Sequence, residues 1–396
     1  MSLDKNATSG LKPKEKLCST SFSELYLSLA GKLSYREATD TLNRLLHRGN
    51  GEKVQATTLE NRVDSTGKKL SAAYMDKAES ILETYNIDKH TGIISPESSI
   101  PESVRSPELP AVLSEKEVRK QITSYNQGRD SMTKLKYGPC TSNIEASTER
   151  CCYIRIDDIG VKCQKPIRNG YYKKDRRYIE NTVIHIQADE GQYTLTAIGM
   201  AKAFKMLVAF LLKSRLMEDR RLIFFSDGAR NIRDLIDKYF GFRQYTLILD
   251  WLHLEKKCYE FLSMSIKGTK AEKEQIKKEL VSILWTGRHD KAIKYLDAVK
   301  TANIKNSKKL DEFKAYILRK APNMTCYALR HMLGLSISSS RVEKANDIIV
   351  ATRQKHNGMS WSTDGSGALA VIKACMVNGE LSGWIRNKEI NFDLVA

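Results

Sequence analysis

The stretch YIRIDDIG, residues 153–160, places two adjacent aspartates at the end of a short, mainly apolar run. Such a run predicts a β-strand with a buried face. Side chains alternate between the two faces of a strand, so only one of the aspartates can point into a site at its end. We expect Asp157 to be that residue and keep Asp158 as the alternate, although a solvated turn would also explain the pair.

A second aspartate follows an apolar run in LIFFSDGA, residues 222–229. Asp227 precedes small residues, which leave room for an ion or a phosphate beside its carboxylate. A helix N-cap is the plainer explanation, because Asp is common there.

A glutamate lies early in the distant segment SSSRVEKANDIIVATRQK, residues 338–355. Glu343 falls in the first turn of a predicted helix and shares a face with Asn346, Asp347 and Val350. Asp347, one turn later, is the alternative acid. A solvated glutamate that pairs with the helix dipole would look the same. Together with two carboxylates at strand ends, however, Glu343 could bind two divalent metals that act on a phosphodiester.

The composition favours a polyanionic partner. The 396 residues carry 65 Lys and Arg against 47 Asp and Glu, a net charge of +18. Such an excess favours rapid, salt-sensitive association with nucleic acid. Residues 1–16 are polar and lack the apolar core of a secretory signal, so we expect a cytoplasmic, nucleoid-associated protein with reduced cysteines.

Residues 20–86 predict an all-α unit. Helices at residues 22–30 and from Ser34 onward are followed by a third that starts at a capping box at Thr57 and ends towards Gly67, and by a further helix over 70–85. Three short helices suit a helix-turn-helix DNA-binding domain, although an ordinary helical bundle is the alternative. Its candidate DNA-binding residues are Arg44, Arg48, Lys53, Arg62 and Lys68.

A boundary follows at residues 87–150, where four of the eight prolines fall within fifteen residues before a short charged helix at 115–125. From residue 151 the pattern changes to strands at 153–156, 183–188, 193–197, 222–225 and 245–249. Three strands, helix, strand, helix, strand is the order of an RNase-H-like sheet. We therefore predict an α/β RNase-H-like catalytic core at 151–254 and 336–396, interrupted by an all-α insertion at 255–335.

Two further positions belong to the candidate site. Asp250 and His253 form Asp-x-x-His directly after the fifth strand. They are either a helix N-cap and a histidine of its first turn, or residues that help shape the metal site, or His253 contacts the scissile phosphate or its flanking nucleotide. Arg341, Arg353 and Lys355 surround Glu343 with positive charge suited to a phosphate backbone. Trp285 is a candidate for stacking on an unpaired base, with a core position as the simpler interpretation.

Taken together, these stretches resemble the DDE transposases of prokaryotic insertion sequences, in particular the Mutator-like and hAT-like groups with a helical insertion. The resemblance rests on IDDIGVKCQK (156–165), SDGARNI (226–232), LILDWLHL (247–254) and SISSSRVEKANDIIVATRQKHNGMSWS (336–362). The last segment is the most specific, with its small-residue turn, acidic residue, basic helix and Gly-Met-x-Trp-Ser ending. By this resemblance Asp157, Asp227 and Glu343 form the metal-binding triad.

The resemblance implies a Mg²⁺-dependent transposase, with Mn²⁺ able to substitute. It would bind double-stranded DNA at the element ends and in the target, and it would act as at least a dimer. A nuclease that does not join strands and a non-catalytic DNA-binding regulator or decayed copy remain the alternatives. A phosphatase with Asp157 as nucleophile fits the following residues poorly.

Overall fold

The structure is a computed structural model that describes residues 19–47, 49, 53–131, 133–164, 178–189, 191–355 and 359–395. Arg48, Lys165 and Gly358, to which the sequence interpretation assigned roles, lie outside the described residues, as does most of the predicted flexible N-terminus.

A mixed five-stranded sheet forms the centre of the protein, as the sequence predicted. Its strands are β1 (Cys151–Lys162), β2 (Tyr178–Ala188), β3 (Gly191–Ile198), β4 (Arg221–Ser226) and β5 (Thr246–Leu249). The order across the sheet is β3-β2-β1-β4-β5. β1 pairs antiparallel with β2 and β2 with β3, whereas β1, β4 and β5 run parallel. The parallel strands therefore end at the same edge of the sheet.

One face of the sheet packs against helices from both ends of the chain. These are α1 (Thr20–Lys32), α2 (Tyr35–Leu45), α3 (Ala56–Thr84), α6 (Met200–Lys213), α7 (Arg230–Phe240), α15 (Thr363–Val377) and α16 (Leu381–Asn387). Their apolar residues and those of the sheet form one continuous cluster. Short helices α4 (Glu102–Arg105) and α5 (Glu115–Asn126) lie between α3 and β1.

The N-terminal helices differ from the sequence prediction in two respects. The capping box at Ser34 is present, but the one expected at Thr57 is not, because Gln55 is the N-cap of α3 and makes no side-chain cap. α3 also runs unbroken for 29 residues, where the sequence predicted two helices with a break after Gly67. Gly67 lies inside α3 and faces α15. An added Cβ at this position would come within 2.4 Å of Ala368, so the close approach of the two helices requires glycine here. The missing side chain thus serves helix packing and does not end the helix.

The other face of the sheet packs against the helical segment that follows β5. It contains α8 (Trp251–Ser265), α9 (Lys270–Trp285), α10 (His289–Asp297), α11 (Ser307–Lys320) and α12 (Tyr327–Met332). Their apolar residues form a second cluster with Tyr153, Phe225 and Ile248 of the sheet. Trp285 belongs to this packing, since its ring lies 4.7 Å from that of Trp251 in an edge-to-face arrangement.

After the helical segment, the chain returns to the sheet through the helix that the sequence predicted after residue 338. α13 (Ser340–Asn346) contacts β1 and β2 and continues through a π-helical turn at Asp347–Ala351 into α14 (Thr352–Gln354). Within the described part of the chain, no helix is both long and apolar enough to cross a membrane.

Candidate active site at the ends of the parallel strands

Three aspartates, Asp157, Asp227 and Asp250, lie just beyond the points where β1 stops pairing with β4 and β4 stops pairing with β5. The pairing of β1 with β4 reaches Arg155 opposite Phe225, and two more residues along each chain bring Asp157 level with Asp227. The pairing of β4 with β5 ends at Ser226 opposite Leu249, and the next residues are Asp227 and Asp250. The amide of Asp250 donates to the carbonyl of Ser226 at 2.9 Å, which continues the ladder by one bond.

The alternation of side chains places these acids on the face of the helical segment. Tyr153, Phe225 and Ile248 pack together on that face, and each lies an even number of residues before one of the aspartates. Asp157 therefore points to the same side of the sheet as Asp227 and Asp250.

Asp157 and Asp158 have separate partners. Asn346 Nδ2 donates to Asp157 Oδ2 at 2.7 Å, whereas Thr182 Oγ1 donates to Asp158 Oδ1 at 2.6 Å. Asp157 is thus bonded to α13, the helix that carries Glu343, and Asp158 to the neighbouring strand β2. Both acids are partly buried.

Burial and neighbouring charge make Asp157 a weaker acid than usual. Burial raises its pKa to about 6; the charge of His253 acts against this shift and the charge of Asp227 adds to it. Burial also raises the pKa of Asp158. Partly buried carboxylates that lie close together repel one another when ionised, and a bound cation would reduce that repulsion.

Asp227 lies in the turn between β4 and α7. Its Oδ1 accepts a hydrogen bond from the amide of Ala229 at 2.7 Å, so it fixes the turn ahead of the helix. Lys320, at the end of α11, donates its ammonium to the carbonyl of Gly228. Burial lowers the pKa of Lys320, and the nearby charge of Asp227 opposes that shift. The sequence analysis missed Lys320, because nothing distinguishes it from the other lysines of the helical segment.

Asp250, His253 and Glu343 come together although 90 residues separate the last two. Each of the three offers a ligand atom within 4.8 Å of the others, which makes them a candidate metal-binding group within the described residues. His253 Nε2 lies 3.5 Å from Glu343 Oε1. The side chain of Glu343 is 43% exposed, so the group is open to solvent on one side.

Asp250 is also an anchor for backbone amides. It is fully buried, and its Oδ1 accepts from the amide of His253 at 2.8 Å as the N-cap of α8. Its Oδ2 accepts from the amide of Ser339, the residue before α13. The capping role that the sequence left open for Asp250 is therefore present, and it joins the starts of two helices that carry His253 and Glu343.

The residues expected to bind DNA occupy different environments. Arg44, Lys53, Arg341 and Lys355 are exposed. Lys68 is exposed and forms an ion pair with Asp364 at 2.8 Å, and Arg62 lies over the ring of Tyr26. Arg353 is buried, donates to the carbonyl of Ala30 and lies over two aromatic rings, a position that does not favour contact with a phosphate.

Arg155 is the second residue that the sequence analysis missed, and here a signal existed. It is a charged residue in the middle of an apolar strand, and its side chain is buried. Its guanidinium donates to Ser336 Oγ, the carbonyl of Ser338 and Gln187 Oε1, so it reaches the turn ahead of α13.

Comparisons with known proteins give little further information. No protein-family model matches the chain, and no curated protein matches it. Among solved structures, the Drosophila P element transposase strand transfer complex matches with 9% sequence identity and a TM-score of 0.21, over 70% of this chain and 75% of that chain. A superposition this weak carries no argument about fold or function.

Proposed function

We propose that this protein is a metal-dependent DNA transposase of the DDE class, which cleaves DNA at the ends of an insertion sequence and joins the 3′-hydroxyl to target DNA. One observation carries the proposal: Asp157, inside β1, lies level with Asp227, directly after β4 on the adjacent parallel strand, and Asn346 joins Asp157 to the helix of Glu343. Glu343 itself is grouped with Asp250 and His253, and we assign it as the third acid beside Asp157 and Asp227.

The sheet topology supports an RNase-H-like core. Three antiparallel strands are followed by two parallel ones in the order β3-β2-β1-β4-β5, and a helical segment separates β5 from α13. We assign residues 151–254 and 336–396 to this core, 255–335 to a helical insertion, 20–86 to a helix-turn-helix DNA-binding unit, and 87–150 to the connection between them.

The donor set fits a hard divalent cation. Asp157, Asp227 and Glu343 offer carboxylate oxygens, the ligands that Mg²⁺ prefers, and Mn²⁺ also accepts a nitrogen such as that of His253. Burial, with a smaller contribution from the charge of Asp227, raises the pKa of Asp157, and a bound cation would stabilise its ionised form. A pair of such cations lowers the pKa of a water or hydroxyl nucleophile and stabilises the leaving oxygen of a phosphodiester.

The chain's own residues would orient the reacting groups. Asn346 fixes the direction of the Asp157 carboxylate through its amide. His253 lies beside Glu343, where its imidazole could donate a hydrogen bond to a phosphate oxygen. The ammonium group of Lys320, which belongs to the helical segment, lies near Asp227.

Charge supports DNA as the substrate. The net charge of +18 favours binding to phosphates, and Glu343 has exposed Arg341 beside it in α13 and exposed Lys355 after α14. Phosphate contacts would position the DNA, and base contacts of the N-terminal helices would select the element ends. Joining two ends in one event requires at least a dimer.

The test is a strand-transfer reaction. Purified protein and an Asp227→Asn variant are incubated with DNA that flanks the protein's own coding region and with a supercoiled target plasmid, in Mg²⁺ or in Mn²⁺. Joined end–target products from the wild type alone would support the proposal. Cleavage without joining would indicate a nuclease, and specific binding without either product would indicate a regulator or a decayed copy.

A further inference from the structure

We infer that Arg155 and Asp250 are positioning residues. Their hydrogen bonds to the turn at residues 336–339 hold Glu343 in place over the sheet. This inference deepens the proposed function and rests on it for the role of Glu343. The argument begins with the turn itself, because all of its four residues are fastened by hydrogen bonds from other parts of the chain.

The bonds come from three directions. Arg155 of β1 donates to Ser336 Oγ at 3.0 Å and to the carbonyl of Ser338 at 3.4 Å. Arg330 of α12 donates to the carbonyl of Ser336 at 2.8 Å, and the backbone N–H of Trp251 in α8 donates to the carbonyl of Ile337 at 3.2 Å. Asp250 accepts from the amide of Ser339.

The turn leads directly into the helix of Glu343. The amides of Val342 and Glu343 both donate to the carbonyl of the anchored residue Ser339, at 2.8 and 3.1 Å. One backbone hydrogen bond therefore separates Glu343 from the residue that Asp250 holds. Any displacement of the turn would move the Glu343 carboxylate relative to Asp157 and His253.

The charges of Arg155 and Asp250 match the groups of the turn that they bind. The Arg155 cation binds oxygens of the turn, and the Asp250 anion binds an N–H, and hydrogen bonds with a charged partner are the stronger kind. Both side chains are buried, at 2% and 0% exposure, where loss of one partner leaves the other group unsatisfied. Arg155 also lies two residues before Asp157 on the same face of β1, so it couples the first acid of the site to the last.

The cost of burying Arg155 supports a role beyond packing. All three of its hydrogen bonds go to uncharged oxygens, and its side chain is buried. A buried guanidinium held by neutral oxygens is expensive relative to an apolar residue of the same size. An apolar residue at position 155 would fill the space but could not bind the turn.

The test compares Arg155→Met with a matched control, Arg243→Met. Arg243 is also buried and also donates to backbone carbonyls, those of Met217 and Arg220, away from the turn. Mn²⁺ affinity is measured by calorimetry on the full chain, together with hydrogen exchange over residues 336–346 and thermal stability.

We expect Arg155→Met to weaken Mn²⁺ binding about as far as Glu343→Gln, and to add no further loss in the Glu343→Gln background. Exchange over residues 336–346 should rise in Arg155→Met and stay at the wild-type level in Arg243→Met. In Asp250→Asn, which keeps one acceptor oxygen, exchange over residues 336–346 should rise less than in Arg155→Met and more than in Arg243→Met.

Two results would overturn the inference: full additivity of Arg155→Met and Glu343→Gln, or unchanged exchange in the turn. If the wild type binds no Mn²⁺ and cleaves no DNA, the proposed function fails, and the exchange measurement alone decides whether Arg155 holds the turn.

Discussion

Asn346 Nδ2 donates a hydrogen bond to Asp157 Oδ2 at 2.7 Å, across 189 residues of sequence. Asn346 follows Glu343 by three residues on α13, so both side chains face the same side of the helix. The bond fixes the distance between the first strand of the sheet and the helix that supplies the third acid. The other oxygen, Asp157 Oδ1, accepts a hydrogen bond from the amide of Asp158 at 2.9 Å.

The first prediction concerns this bond. Asn346→Ala removes the donor to Asp157, so the carboxylate can rotate away from its position beside Asp227. We expect Mg²⁺-dependent cleavage to fall about tenfold, the value of one well-placed hydrogen bond, while DNA affinity stays within about twofold. Single-turnover cleavage and DNA binding are measured side by side.

The control for Asn346 is Asn378→Ala. Asn378 is equally buried and bonds to the backbone of Thr194 in β3, away from the acids. It should lose stability and keep its cleavage rate at a temperature where it is folded. Equal losses of cleavage in the two variants would contradict a specific role for Asn346.

The second prediction follows from the raised pKa of Asp157. The folded chain holds the proton with a pKa of about 6, whereas an unfolded Asp has a pKa of about 3.9. The folded state therefore binds more protons than the unfolded one between these values, and stability falls as the pH rises through that window. Asp157→Asn has no such loss, so without metal it should melt a few degrees higher than the wild type at pH 8.

Two further melts test the sign. At pH 4 the wild-type carboxyl is protonated, and the advantage of Asp157→Asn should largely disappear. With Mn²⁺ at pH 8 the wild type should gain stability and the variant should gain much less, because a ligand that binds only the folded state stabilises it. A variant that is less stable than the wild type at pH 8 without metal would contradict the assigned environment.

Part of this site could be read from the sequence. The order of apolar runs predicted the five-stranded sheet. The expected strand end at Asp157 was wrong, because β1 continues to Lys162 by pairing with β2, so Asp157 and Asp227 stay a proposal as metal ligands. The contacts of Asn346 and Arg155 could not be predicted, because they depend on how α13 crosses the strands and no local pattern encodes that crossing. The break expected in α3 was wrong for a similar reason: Gly67 weakens a helix by itself, but its contact with Ala368 in α15 outweighs that preference.

The third prediction separates the two adjacent aspartates. Asp157→Asn should abolish cleavage, because this carboxylate faces Asp227 and the helix of Glu343. Asp158→Asn should keep cleavage within about threefold, since an amide oxygen can still accept the bond from Thr182 and each such bond is worth only about 1 kcal/mol. Both variants are compared for cleavage in Mg²⁺ at equal DNA occupancy. The reverse order of effects would make Asp158 the first ligand.

The fourth prediction concerns the crossing of α3 and α15. A Cβ at position 67 would come within 2.4 Å of the backbone of Ala368, so Gly67→Ala forces the two helices apart. Overpacking of this kind costs about 1–3 kcal/mol, although Ala is by itself the better helix former.

Urea unfolding, followed by circular dichroism and by tryptophan fluorescence, measures this cost. Gly383→Ala in α16 is the control, because a Cβ there meets nothing within 4 Å and should leave stability equal or slightly higher. The apolar cluster that contains α3 also contains β1 and β4, so the loss in Gly67→Ala should appear in both signals at the same urea concentration. Two separate transitions would instead mean that residues 20–86 unfold independently of the sheet that carries Asp157 and Asp227.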